Sequence, residues 1–331
     1  MKHRLAVAVL LFSLLGAGPR LAAQPSAQDP LVDPQRDYNA GHYHRAVDAL
    51  TNAIQNSPND SSLYFLLGQS YYQLRDYTRA ISSLERSVQL LPNQSEYHDW
   101  LGKAYGRKAE ESVFFSAMGW AKKAHGEFET AVQLQPSNFE AQRDLIRYEM
   151  NAPAIVGGGD DRAIKRIRDL EKIDDVQGQL ALGEFYITKR RMAEGEAVFA
   201  KLLESNSDRA GVYFEVADYY RDRQNADKMG QAISAAQRID PQDRRLKFYR
   251  GVFLVMEKRD LTEAESLLRT YVATVPDNAD LPPRSLAREW LGKLYESQGR
   301  FSEAAASYKA ALLLDPHNKE LEDALKRVDK K

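Results

Sequence analysis

The sequence predicts an all-α solenoid, a right-handed superhelix of about eight helical hairpins closed by a C-terminal capping helix. Three observations lead there. Apolar residues recur at i, i+3, i+4 and i+7 through nearly every segment after Asp33, the spacing of helices that bury one face. A small residue returns in steps of 34, at Gly183, Ala217 and Gly251. Proline closes successive segments at Pro58, Pro92, Pro136, Pro241, Pro276 and Pro316.

Two distant stretches show the unit. "LYFLLGQSYYQLRDYTRAISSLERSVQLLPN", from Leu63 to Asn93, and "WLGKLYESQGRFSEAAASYKAALLLDP", from Trp290 to Pro316, carry Gly68 and Gly292, Tyr71 and Tyr295, Tyr77 and Phe301, Ala80 and Ala304 at the same offsets. Glycine and alanine are small where two helix backbones must approach, and the large side chains fill the space around them. A proline cannot continue a helix, so it ends the second helix and resets the chain. On these positions the chain resembles the tetratricopeptide repeat, and the resemblance covers nearly everything after Asp33. It implies a superhelix whose concave face is lined by the first helix of each unit.

Residues 1–23 begin with Lys2 and Arg4, continue as an apolar run from Leu5 to about Leu15 and end in small residues. This pattern suits a secretory signal cleaved after Ala23, with 24–33 as a linker and 34–331 as the solenoid. The expected protein is therefore exported, periplasmic or extracellular, of a bacterial type, mildly acidic once processed and without an integral membrane span after cleavage. With no cysteine it forms no disulfide and must be stabilised by packing alone.

The first hairpin opens at "DPQRDY", where Asp33 is placed to cap a short helix and Pro34 suits its first turn. The second is the regular unit quoted above. In the third, Tyr105 and Ala124 stand about ten residues further apart than Tyr71 and Ala80, which places an insertion near 106–120. In the fourth, "NAPAIVGGGDD" lengthens the turn over 151–161, and Asp160 or Asp161 is placed to cap the helix beyond it. The fifth and sixth are weaker, since Gly195 and Met229 stand where alanine is usual. The seventh and eighth return to the pattern, and "NKELEDALKRVDKK" reads as a charged cap that keeps the end of the array soluble.

Composition and motifs narrow the function. Lys and Arg number 46 against 47 Asp and Glu, so the chain has no basic footprint for nucleic acid. "GKAYGRK" lacks the spacing of a phosphate loop, and "GGGDD" follows no strand. His42 and His44 point in different directions on a helix; His125 and Glu129 share a face without an evident third ligand. No nucleophile motif is present, so neither catalysis nor a cofactor or metal is indicated.

The resemblance implies groove positions at Phe65, Gln69 and Tyr72, then Asp99, Lys103 and Arg107, then Arg143 and Arg147, with Glu184, Phe214, Asp218, Arg221, Phe248, Glu289, Lys293 and Glu296 further along. Some members clamp a peptide's terminal carboxylate with Lys and Asn, and Phe65 and Gln69 stand at those places here. Lys103, Arg107, Arg143 and Arg147 give the groove a cationic strip, open to an acidic partner or else neutralised by Asp99, Glu140 and Asp144. Phe114, Phe115, Met118 and Trp120 in the first insertion admit two readings, as an extension of the hairpin core or as outward anchors. Two functions follow: a non-enzymatic scaffold for a protein or peptide partner in the cell envelope, and a binding module for a small or lipidic ligand working beside a transporter.

Overall fold

The computed structural model describes residues 31–275, 281–316 and 318–331. The expected signal segment, most of the linker and Pro276 lie outside the described residues. Seventeen α-helices and one short 3-10 helix follow one another, with no strand among the described residues. Eight hairpins pair them: α1 (Val32–Asn39) with α2 (Tyr43–Asn56), α3 (Ser61–Gln73) with α4 (Tyr77–Leu90), α5 (Ser95–Glu110) with α6 (Phe114–Leu134) and α7 (Phe139–Asn151) with α8 (Asp160–Ile173). The second half pairs α9 (Asp175–Thr188) with α10 (Met192–Glu204), α11 (Ala210–Asp222) with α12 (Ala226–Ile239), α13 (Arg245–Glu257) with α14 (Leu261–Thr274) and α15 (Arg284–Ser297) with α16 (Phe301–Leu312). The final helix α17 (Lys319–Val328) covers the end, burying Leu321, Ala324 and Val328.

Five of the eight hairpins are held by the same close approach of a glycine to the second helix. A side-chain carbon added at Gly68 would lie 2.5 Å from Leu84, at Gly183 2.6 Å from Phe199 and at Gly251 2.7 Å from Leu268. Gly292 meets Tyr308 in the same way. The partner stands sixteen or seventeen residues on in these four hairpins; in the third it is Phe128, twenty-six after Gly102. The contact survives the insertion, so the extra residues lengthen both helices above it rather than disturb it.

The turns repeat as well. Gly41, Arg75, Arg190, Gln224, Lys258 and Gly299 all have left-handed φ, between 53° and 75°. The next residue's N–H donates back to a carbonyl five residues earlier, as Asp76 does to Tyr71 at 2.9 Å and Arg300 to Tyr295 at 2.9 Å. This closure satisfies carbonyls that the end of a helix leaves open. The third hairpin lacks it, and the fourth makes it only after its 3-10 turn, where Gly157 has a φ of 101° and the Gly158 N–H donates to the Pro153 carbonyl at 3.1 Å; these are the two hairpins with insertions.

Two expected caps sit one or two residues inside their helices. Leu31 is the N-cap of α1 and Asp33 belongs to its first turn; Gly159 is the N-cap of α8, with Asp160 and Asp161 in the first turn. There the carboxylates still favour the positive end of the helix dipole, although they accept no capping hydrogen bond. Asp60, Asp76, Asn138, Asp174, Asn225 and Asn318 do cap through their side chains.

After eight units the superhelix returns to its own start. Arg284 at the head of α15 donates to the Ala40 carbonyl at 2.8 Å, and Arg75 faces Asp315 at 3.6 Å.

Substituting Gly292 by Ala should force the Tyr308 ring out of place and cost about 1–3 kcal/mol, confined to the last hairpins. Hydrogen exchange should show lost protection in α13–α17 with the first half unchanged, and Tyr308→Leu should restore part of it. Loss spread evenly along the chain would contradict this account of the array.

Candidate functional site

The leading helices present their side chains to a concave face with three recesses. Near the N-terminus, Phe65 and Gln69 of α3 line a recess of about 390 Å3 with Tyr38, Trp100 and Glu140. Phe65 stacks on Tyr97 with ring centroids 4.4 Å apart, and Gln69 is buried. A second recess, of about 690 Å3, takes one or more residues from five successive leading helices, including Phe139, Gln177, Phe214, Tyr249 and Leu286. Phe248, expected in the groove, is instead fully buried against Tyr271, and its neighbour Tyr249 takes the groove position.

The four expected cations lie along this face, and every one is paired. Lys103 Nζ sits among three carboxylates, 2.5 Å from Glu140, 2.8 Å from Asp99 and 3.0 Å from Asp144. Arg107 donates to Glu110 at 2.9 Å and to the Tyr72 hydroxyl at 3.3 Å. Arg143 reaches Glu215 at 2.7 Å, and Arg147 reaches Glu184 at 2.5 Å and Asp144 at 3.2 Å. The strip is neutralised by Asp99, Glu140 and Asp144, and also by Glu184 and Glu215 from later hairpins. Those two partners are not on neighbouring turns of one helix, which is why sequence spacing alone did not name them.

The carboxylates of Asp99, Glu140 and Asp144 are close enough together for a metal ion, but the Lys103 ammonium already occupies the space between them. Burial pulls the ammonium's pKa down, yet the three carboxylates outweigh that and hold it above its ordinary value. Burial pushes the Asp99 carboxyl up to about 7, helped by Asp144 and Glu140 and opposed by Lys103.

The two insertions meet to form the third recess. The α5–α6 hairpin extends by its long helices, and the α7–α8 turn folds back over it through a 3-10 turn at Ala154–Val156. The Tyr148 hydroxyl lies 2.8 Å from the Ala121 carbonyl and 2.7 Å from that of Val156, able to donate to either across the junction. Gly157 presses on the His125 ring, where any side-chain carbon would collide. Beneath this, Arg166 donates to the buried Glu149 at 2.6 Å and to Glu129 at 2.8 Å. The buried Glu149 is the third group beside His125 that the sequence did not reveal, 3.7 Å from its Nε2, and Arg166 rather than a metal answers its charge.

This open-mouthed recess measures about 810 Å3. Phe114, Ala117, Met118, Phe128, Ile155 and Val156 are among its walls, with Tyr72, Lys103, Arg107 and Arg147 toward the groove. The four aromatic and Met positions singled out in the insertion thus divide. Phe114 and Met118 line the cavity, Phe115 is 82% exposed and lines none, and Trp120 stacks on Tyr105 at 5.6 Å as part of the hairpin core.

Models of the tetratricopeptide repeat match residues 35–95 and 285–318, within the first hairpins and the last. The chain is a tetratricopeptide repeat protein. No curated protein matches it. It is similar to a solved tetratricopeptide repeat protein from Parabacteroides merdae, at 13% identity over 90% of this chain and 97% of that one, with a TM-score of 0.42. It is also similar to the C-terminal part of a TPR repeat-containing protein from Cytophaga hutchinsonii, at 18% identity over 88% and 98%, with a TM-score of 0.41. A third similarity, at 22% identity over 38% of this chain and 95% of that one, is to the first TPR of Spaghetti bound to an HSP90 peptide, with a TM-score of 0.32. No helix among the described residues is long and apolar enough to cross a membrane.

The Lys103 cluster makes a pH prediction. Asp99 titrates at about 7 in the fold against an ordinary 3.8, so the folded state binds the extra proton between those values and this group's contribution falls as pH rises through them. Lys103→Met removes the cation at the centre of the cage, leaving only Arg147 against Asp144, and should cost about 3–5 kcal/mol at pH 8. At pH 5 protonated carboxylates should make the loss clearly smaller. Urea midpoints of the wild type and the variant at both pH values test this; an equal loss at both would mean that the ammonium does not balance the cluster.

Proposed function

We propose that the protein is an exported, non-enzymatic interaction scaffold that holds an extended segment of a protein partner along its concave face, in the cell envelope. Tetratricopeptide repeat proteins bind protein or peptide partners. The observation that carries the reading here is the 690 Å3 recess, because five consecutive leading helices contribute to it and its walls alternate aromatic and charged groups. Phe139, Phe214 and Tyr249 offer flat apolar surface, while Arg143, Glu215, Asp218 and Arg245 offer hydrogen bonds along the same path. A segment lying there contacts every unit from the fourth to the eighth, which suits an extended chain better than a compact molecule. Aromatic and arginine side chains are also the groups that most often dominate binding energy. The cationic, apolar and small-residue order of residues 1–23 supports export.

Gly211 offers a test that spares the core. It lines the recess from α11, and a side-chain carbon there meets only Arg245, at 3.7 Å. Gly211→Trp should fill the recess, leave the helical circular dichroism and melting unchanged, and weaken capture of the native partner at least tenfold. Unchanged capture by the folded variant removes the recess from the binding face. Protein recovered from the producing cell's envelope should begin at Gln24; a chain beginning at Met1 in the cytoplasm would end the export reading.

A further inference from the structure

The recess at the N-terminal end of the concave face carries a polar group that no other group in the described chain answers. Gln69 is 9% exposed and lines that recess, yet its side-chain amide makes no hydrogen bond among the described residues. On the reading that the concave face holds an extended segment of a partner, we propose that Gln69 takes the main-chain N–H and C=O of one interior residue of that segment, whose apolar side chain lies in the aromatic recess beside it.

The equivalent positions show that the open amide is particular to this hairpin. Gln35, Gln69 and Lys103 stand 34 residues apart, at one position of three successive leading helices. Gln35 donates to Asn39 at 2.9 Å, and Lys103 sits among the carboxylates of Asp99, Glu140 and Asp144. One turn beyond Gln69 on the same helix, Gln73 donates to the Tyr38 hydroxyl at 3.4 Å. Gln69 alone of these four has no partner. A buried amide left open has given up water and gained nothing for it, which costs free energy and is uncommon in a folded chain. Its oxygen accepts and its nitrogen donates, while an extended residue turns its own N–H and C=O to the same side. The two groups are complementary.

The walls select the rest of the guest. Tyr38, Phe65, Leu66 and Trp100 line the recess, and Phe65 is fixed by stacking on Tyr97 with ring centroids 4.4 Å apart and by meeting Trp100 at 6.4 Å, nearly perpendicular. A wall already fixed loses little freedom when a guest arrives. At about 390 Å3 the recess is near the lower end of the range of roughly 300–1,000 Å3 common for pockets, so the guest is small: one bulky apolar side chain with its own peptide group. The Trp100 indole N–H likewise has no acceptor among the described residues and is a further donor for the same segment. No lysine or arginine lines this recess; its charged residues are Glu96 and Glu140, and the Lys103 ammonium beside Glu140 is already held by three carboxylates. A terminal carboxylate finds no counter-ion there, which is why the residue received is an interior one.

Titration of acetyl-Gly-Phe-Gly-Gly-amide into the nitrogen-15-labelled protein tests the proposal by NMR. The Gln69 side-chain amide signals, assigned by their loss in Gln69→Met, and the Trp100 indole signal, assigned by its loss in Trp100→Phe, should both shift as the peptide binds. The peptide should bind about tenfold more tightly than its counterpart with Ala for Phe, and about tenfold more tightly than its counterpart methylated on the Phe nitrogen, which cannot donate there. Gln69→Met keeps the length of the side chain and removes its amide. It should weaken the peptide about tenfold and at the same time raise the urea midpoint of the free protein, because the group removed is buried without a partner. A structural role for the amide would lower that midpoint instead, so a lowered midpoint, or unchanged affinity in the folded variant, overturns the proposal. Equal binding of the methylated peptide overturns it as well. Shifts of the Gln69 signals by benzamide, with the peptide inert, also overturn it and assign the recess to a small aromatic amide. Gly211→Trp lies in the larger recess and should leave this peptide's affinity unchanged. Because Gly211→Trp is read on the native partner and Gln69→Met on the short peptide, failure of the groove reading is seen separately from failure of this one.

Discussion

The structure depends on one contact repeated along the chain, a glycine backbone pressed against a large side chain of the following helix. Gly68 on Leu84, Gly183 on Phe199 and Gly292 on Tyr308 bring paired helices closer than any side-chain carbon would allow. Because the pair is rigid, each hairpin offers its neighbour the same face, and stacking can proceed by one rule. The consequence is seen where the chain departs from regularity. Phe128 still closes on Gly102 although about ten residues have been added between them, so the addition is displaced outward as longer helices. A fold built on a local clamp tolerates growth beyond the clamp.

That locality decides how much could be read from the residues. The hairpin count, the small-to-large pairing, the closing prolines and the capping helix were legible, because each is set within about forty residues of chain. Both insertions were visible as breaks in the spacing, but their shape was not. A helical extension and a folded-back turn cost the same number of residues, and the Tyr148 bridge that joins them spans two hairpins. The groove was read less well. Taking Phe248 for a surface residue missed by a single position, since one step around a helix turns a side chain by about 100° and exchanges it with Tyr249. Asp33, Asp160 and Asp161 were likewise displaced by one or two residues from the capping position, the ordinary margin at helix ends.

Charge was the least legible property. Lys103, Arg107, Arg143 and Arg147 invite a cationic reading when listed along the chain, and spacing identifies three of the acids beside them. Glu184 and Glu215 come near only because the superhelix curves, carrying the leading helices of the fifth and sixth hairpins toward that of the fourth. The sign of the surface is therefore a tertiary property. It also bears on stability, because ions held this closely are worth most when none loses its partner, and a guest that displaces one must replace it.

The return of the eighth hairpin to the first has a mechanical meaning. Arg284 against Ala40 and Arg75 against Asp315 bring the end of the coil into touch with its beginning. A spring whose turns already touch can lengthen but cannot shorten. Among the described residues, extension parts the part-buried Arg284–Ala40 hydrogen bond and the more exposed Arg75–Asp315 ion pair, each contributing about 1 kcal/mol or less, whereas compression meets the packed bodies of the helices themselves. The elastic response is thus one-sided: tension applied at the ends opens the pitch and flattens the concave surface, and on release the same two contacts set the length to which the coil recoils.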